Sequence, residues 1–165
     1  MEMHELVDEN GENTGKIITH VEARNLDNIL EGYYLHIVGV VIVNSKNEVL
    51  LQKRSRFKRV KPSVWGLCGG KIDYGENPID AGVRETFEEI GVKLNKENLK
   101  ILSKQPIPEE KIYCTDYYIK QDVDIDKCVL QKEEVEEVRY FKIDELETID
   151  NEGIEWLDNL KQFIK

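Results

Sequence analysis

The sequence predicts a single α/β or α+β layer domain in which a mixed β-sheet is covered by helices. Two observations carry this expectation. β-like runs rich in Val and Ile recur along the chain, with two or three helix-like segments between them. The clearest helix-like segments are amphipathic, so each needs a sheet or another helix to cover its apolar stripe. The chain has 165 residues, about the length of one domain, and residues 1–165 are read as a single unit. That length buries a core without disulfides or a structural metal.

Taken in order, Glu9-Asn10-Gly11 is a turn signal ahead of a short β-like stretch at residues 16–22. Residues 35–44 form an apolar run that reads as a buried strand. A turn at 45–47 and a second β-like run at 48–52 complete a hairpin. Residues 53–61 carry six basic side chains and no acidic one, and read as a loop ended by Pro62. Residues 65–72 contain Gly69-Gly70 and read as a glycine-bent strand. Residues 77–90 make the best helix in the chain. β-like runs follow at 99–103, 111–120 and 135–141, then a short helix at 143–147. A last helix over 154–164 puts Ile154, Leu157, Leu160 and Ile164 on one face.

The formal net charge of −10 argues against broad nucleic-acid or membrane-surface binding. No stretch approaches the roughly 18 apolar residues that cross a bilayer. Residues 1–10 are acidic and polar, unlike a secretory signal. The three cysteines, Cys68, Cys114 and Cys128, lack metal-ligand spacing and read as reduced thiols. The expectation is a cytoplasmic protein with no membrane partner, for which a homodimer is a compatible assembly.

The 77–90 helix is marked at both ends independently of its interior. Asn77 suits an N-cap, Pro78 the first helical position and Gly91 the C′ position. At 100° per residue Ile79, Val83, Phe87 and Ile90 share a stripe that can pack on a sheet. Glu85, Glu88 and Glu89 then fall on the opposite face, pointing away from the packing. Crowded carboxylates repel, and a hard divalent cation converts that repulsion into ligation. The bland alternative is a solvated acidic face.

The surroundings decide between them. Gly70, Glu76, Arg84, Glu85, Glu88, Glu89 and Gly91 match the Nudix box, G-x5-E-x7-R-E-U-x-E-E-x-G-U, over residues 70–92. Val92 fills the last aliphatic position, while Thr86 stands at the first and is a mild departure. Seven fixed residues, each about 7% frequent, match by chance roughly once in 10⁸ placements. The approach Trp65-Gly66-Leu67-Cys68-Gly69-Gly70 is also similar to that family's, with Cys68 where proline is common.

The resemblance implies a Nudix-type α/β/α sandwich. It implies an enzyme that hydrolyses a diphosphate linkage in a nucleoside diphosphate joined to another group, a small phosphorylated substrate. It implies Mg²⁺ or Mn²⁺ held by the Gly69 carbonyl and by Glu85, Glu88 and Glu89. Arg84 would orient the acidic cluster, and Gly70 and Glu76 would support it. The general base would be Glu85 or a distal carboxylate, here Glu134 or its neighbour Glu133. The bound cation would be the local positive centre that a phosphate substrate needs in an acidic protein. The basic loop would assist by attracting phosphate, with Arg54 as the substrate-binding candidate.

Two other readings remain open. Residues 6–15 and Leu50-Leu51-Gln52-Lys53-Arg54 resemble the isopentenyl-diphosphate isomerase-like Nudix subgroup. In that reading Cys68 and His36 would serve, but Lys71 stands where those enzymes place a histidine. The other reading is a non-catalytic module that senses a nucleotide. Cys68 and His36 also have plain structural readings, as a small buried residue and a hydrogen-bonded core histidine. Tyr33, Tyr34, Tyr113, Tyr117 and Tyr118 can stack a base, though tyrosines in strands more often pack.

Overall fold

A computed structural model of the chain describes residues 2–149 and 155–164. The elements run β1 (Met3–Val7), β2 (Asn13–Thr19), β3 (Leu35–Val43), β4 (Val49–Arg54), β5 (Trp65–Gly66), β6 (Cys68–Lys71), α1 (Pro78–Ile90), β7 (Lys100–Ile107), β8 (Ile112–Lys120), β9 (Val135–Phe141) and α2 (Glu155–Phe163). β1 and β2 form their own antiparallel pair, joined to the rest by a bridge between Val7 and Tyr34. The other strands form one seven-stranded sheet. β3 pairs in parallel with β8 and antiparallel with β4 and β6, so the sheet is mixed.

β3 lies at the centre because it is apolar along its whole length and can be covered on both faces. Its side chains alternate. Val38, Val40 and Ile42 pack toward α1 with Leu50, Ala81 and Ile90. Val41 and Val43 pack toward α2 with Val49, Leu51, Trp156, Leu157 and Leu160. The result is the expected α/β/α sandwich.

One feature of the sheet places the site. β3 and β4 pair only through Ile42–Leu50 and Val43–Val49, then diverge. β5 takes up the pairing with β4 at Gln52 and Lys53. β6 takes up the pairing with β3 from Ile37 to Val40. The chain therefore crosses from one side of a fork to the other through Leu67. The close approach there requires glycine: a Cβ on Gly69 would lie 1.9 Å from the Val38 carbonyl oxygen.

Several expectations need correction. β2 begins at Asn13 and ends at Thr19, and Glu22–Arg24 is a 3-10 turn, so the stretch expected at 16–22 is shifted toward the N-terminus. β1 was not expected at all. β4 continues to Arg54, so the basic loop starts later than residue 53. Ile143–Glu147 is helical but 3-10. Ile154 lies outside the described residues, whereas Leu157 and Leu160 are buried as expected.

The largest correction concerns α1. Phe87 is 56% exposed, while Thr86, Glu89 and Ile90 are buried. The packing face is therefore rotated from the expected stripe toward Gly82, Thr86 and Glu89. Gly82 permits this, because a Cβ there would already stand 3.0 Å from the Val40 side chain. The helix lies close to β3 on its glycine, and the carboxylate at Glu89 is carried inward.

The two candidate stripe residues should therefore respond differently to truncation. Ile90→Ala should cost about 2–5 kcal/mol, as buried Ile or Leu truncations do. Phe87→Ser should cost no more than about 0.5 kcal/mol, as exposed substitutions do. Denaturant unfolding of both variants measures this, and a larger loss at Phe87 would contradict the rotated face.

Candidate active site

α1 starts where the sequence says it should. The Asn77 side chain accepts a hydrogen bond from the Asp80 N–H, and Gly91 closes the helix in the left-handed conformation at φ 72°. These caps fix where the helix begins and ends.

Arg84 organises the cluster. Its Nε and Nη2 donate to both oxygens of Glu76 at 2.8 and 2.9 Å, a bidentate pair. Its Nη1 donates to Glu85 at 3.0 Å and to Glu88 at 3.3 Å, and its Nη2 to the Lys71 carbonyl at 3.2 Å. One guanidinium thus ties the loop after β6 to three box carboxylates. Burial alone would raise the Glu76 carboxyl, but the Arg84 hydrogen bonds bring it below the usual range. The Arg84 guanidinium is itself held charged, chiefly by its bonds to Glu76.

Glu85 and Glu89 are in a different state. Burial pushes the Glu85 carboxyl up to about 7, against the opposing pull of Arg84. Burial pushes Glu89 up to about 8, against a 2.8 Å hydrogen bond from the Gly69 N–H. Glu85 stands over Gly70 so closely that a Cβ there would lie 2.7 Å from its carboxylate. Glu88, by contrast, has a half-exposed side chain. The expectation that all three carboxylates point away from the packing therefore holds for Glu88 alone. Glu85 and Glu89 lean onto the glycine strand, because the packing face of α1 is rotated.

Oxygen-only donors on buried carboxylates, beside a strand with no side chains in the way, fit a hard divalent cation. Without one, the protein carries two carboxyl groups at a cost in desolvation. With one, that cost is offset by direct charge neutralisation.

A groove of about 550 Å³ opens beside them, within the usual size of a small-molecule site. It lies on the α2 face of the sheet over Gly39 and Asp116 and meets Glu89, Gly69 and Gly70 at the fork. Lys71 and Arg54 also line it. Burial pulls the Lys71 ammonium below its ordinary value, with Lys58 and Arg24 adding to the effect. Lys71 and Gln52 were not among the expected site residues. Lys71 figured in the sequence only as a departure from the isomerase pattern.

The basic loop is less available than expected. Arg56 pairs with Glu136 at 2.7 Å, Lys58 with Glu134 at 2.8 Å, and Lys61 with Glu110 at 3.6 Å. Arg54 lines the groove, but its Nε donates to the Val60 carbonyl and so closes the loop on itself. Glu134 does lie near the site, since its charge acts on both Glu89 and Lys71. Cys68 is 2% exposed within the α1 core, and burial raises its thiol well above the ordinary value. His36 is buried with its Nε2 2.7 Å from the Thr115 hydroxyl, and burial lowers it to about 4. Tyr113 and Tyr117 are buried in the packing.

Comparisons with known proteins show the family and the fold. A sequence model described as NUDIX domain matches residues 34–160. The chain is 32% identical over 154 residues to an uncharacterized Nudix hydrolase of Listeria monocytogenes, spanning 93% of this chain and 87% of that one. An RNA pyrophosphohydrolase of Ruthia magnifica is 47% identical over 76 residues, which is 46% of this chain and 38% of its own length. In fold the chain is similar to a Deinococcus radiodurans protein known from its crystal structure. The TM-score is 0.73 at 18% identity, covering 99% and 100% of the two chains. No described helix is long and apolar enough to cross a membrane.

The raised carboxyls give a pH dependence with a definite sign. In the metal-free protein Glu85 and Glu89 bind protons more tightly than in the unfolded chain. Their contribution is complete below the unfolded value of about 4.3. It is lost as pH rises through about 7 for Glu85 and about 8 for Glu89. Metal-free protein should therefore melt at lower temperature at about pH 8.5 than at about pH 5.5, and Glu89→Gln should flatten this slope. Thermal unfolding of both proteins in chelator measures it, and equal slopes would contradict the assigned burial.

Proposed function

Since this chain belongs to the NUDIX family, we propose that it is a Mg²⁺- or Mn²⁺-dependent pyrophosphohydrolase that cuts the diphosphate linkage of a nucleoside diphosphate joined to another group. The observation that carries this reading is the buried Glu89 carboxylate at the head of a groove of small-molecule size, with the half-buried Glu85 near it over Gly70.

Glu88, Glu89, Glu85 and the Gly69 carbonyl would hold the cation. When bound, it offsets the charge on the diphosphate and makes hydroxide available near neutral pH. The remaining steps belong to the chain. Arg84 fixes Glu85 in place and keeps Glu76 ionised. Lys71 and Arg54, lining the groove, attract the phosphates in a protein whose net charge is −10. Glu85 takes the proton from the attacking water, whose oxygen bonds to phosphorus as the bridging P–O bond breaks. The leaving phosphate carries the bridging oxygen away. Glu134 is the weaker candidate base, because Lys58 already neutralises it at 2.8 Å. The isomerase reading needs a reactive thiol at Cys68, and that thiol is sealed in the core in its neutral form.

Glu85→Gln, Glu88→Gln and Glu89→Gln should each lower kcat by roughly 10²-fold or more, as loss of charge stabilisation in a site does. Glu134→Gln should lower it by less than about 10-fold, at the weak end of general-base effects. The assay is a screen of nucleoside di- and triphosphates, nucleotide sugars, dinucleotides and isopentenyl diphosphate with Mg²⁺, run in ¹⁸O-water. The label should enter a phosphate product, and Cys68→Ala should keep most of the turnover. Movement of the isopentenyl double bond without phosphate release, abolished in Cys68→Ala, would overturn the hydrolase reading.

A further inference from the structure

Where the chain leaves β6 at Ile72, the ends of the β1–β2 pair bring two histidines and a carboxylate together. His4 is 1% exposed, and its Nδ1 is 2.9 Å from the Ile72 carbonyl. That bond requires the proton on Nδ1, so Nε2 presents its lone pair. The lone pair faces the Nδ1 of His20 at 3.1 Å. The same His20 Nδ1 stands 3.2 Å from a Glu2 carboxylate oxygen. One donor atom from each of Glu2, His4 and His20 lies within 4.8 Å of the others.

We infer that Glu2, His4 and His20 form a second metal site, chemically distinct from the box and suited to a borderline first-row divalent cation such as Zn²⁺. The donor set is two imidazole nitrogens and one carboxylate oxygen, which suits Zn²⁺ better than Mg²⁺. Ligand bonds of about 2.0–2.1 Å in a tetrahedron put donor atoms about 3.3 Å apart. The two separations at His20, 3.1 and 3.2 Å, are close to that edge. The third ligand can adjust, because the Glu2 side chain is 63% exposed. A ligating histidine ordinarily donates its other N–H to a carbonyl or carboxylate, and His4 does so to Ile72, with Asp73 Oδ1 3.9 Å away. Ligation moves the His20 proton from Nδ1 to Nε2 on a ring that is one-third exposed, so no charge is stranded.

The position gives the site a role. The Tyr74 N–H donates to the Met3 carbonyl at 2.7 Å, beside the His4–Ile72 bond. Residues 72–74 lead directly to Glu76, whose carboxylate clamps Arg84. A cation on His4 and His20 would fasten the N-terminal strand pair to the loop that carries the clamp.

Co²⁺ serves as the probe, because a tetrahedral nitrogen-containing site absorbs visibly more strongly than an octahedral oxygen site. The whole protein is first loaded with excess Mg²⁺, so that the box is occupied, and then titrated with Co²⁺. One equivalent should give a strong visible band that Zn²⁺ bleaches. The band should persist in Glu89→Gln. His20→Gln should weaken the binding at least about 10-fold, the loss common even for an outer partner, while Mg²⁺-dependent turnover is retained. Glu2→Gln should give a smaller loss, and serves if the His20 variant folds poorly. No band in the Mg²⁺-loaded protein, or an unchanged band in His20→Gln, would overturn the site and leave a hydrogen-bonded histidine pair.

Discussion

The Gly69 N–H donates to Glu89 across the space between β6 and α1, and the rest of the site depends on that approach. It requires a strand without side chains, since a Cβ at Gly69 would strike the Val38 carbonyl and one at Gly70 would strike Glu85. It also requires a helix lying flat on β3, which Gly82 allows. Carboxylates placed this deep lose solvation, and their proton affinity rises accordingly. A buried carboxyl that must ionise needs a compensating charge. Arg84 supplies it chiefly to Glu76, through the bidentate bond, and reaches Glu85 through a single N–H at 3.0 Å. Glu85 and Glu89 are left as the pair whose ionisation a cation would complete.

The fork in the sheet turns this local arrangement into an accessible one. Were β3 and β4 paired along their full length, the glycine strand would be covered. Because they part after Ile42 and Leu50, β5 and β6 line a gap that opens onto the groove over Gly39 and Asp116. The same gap gives an acidic protein a local place for positive charge. Lys71 sits half-buried in the groove wall, whereas Arg56 and Lys58 are spent on Glu136 and Glu134.

The sandwich and the box could be read from the sequence because each rests on local rules. Strand β9 falls at the expected residues 135–141, and α1 is bounded by its caps. The rotation of α1 could not be read. Helical periodicity favours Phe87 as a core residue, but the close contact at Gly82 overrides it and turns Glu89 inward. The role of the basic loop was misjudged for a related reason. Its acidic partners come from residues 134–136 and 108–110, remote in sequence, and no local pattern announces them. β1 was invisible because Met3–Val7 is short and gains its order from pairing with β2 and from contacts with residues 72–74.

Burial raises the proton affinity of Glu85 and Glu89, so a divalent cation that binds them would displace protons. Calorimetry of Mg²⁺ or Mn²⁺ binding in buffers of different ionisation heat tests this most directly, because the dependence on buffer counts the protons released. Net proton release is expected at about pH 6.5, below both raised values, falling toward zero at about pH 9, above both. Binding without proton release at the lower pH, or no divalent binding at either, would contradict it.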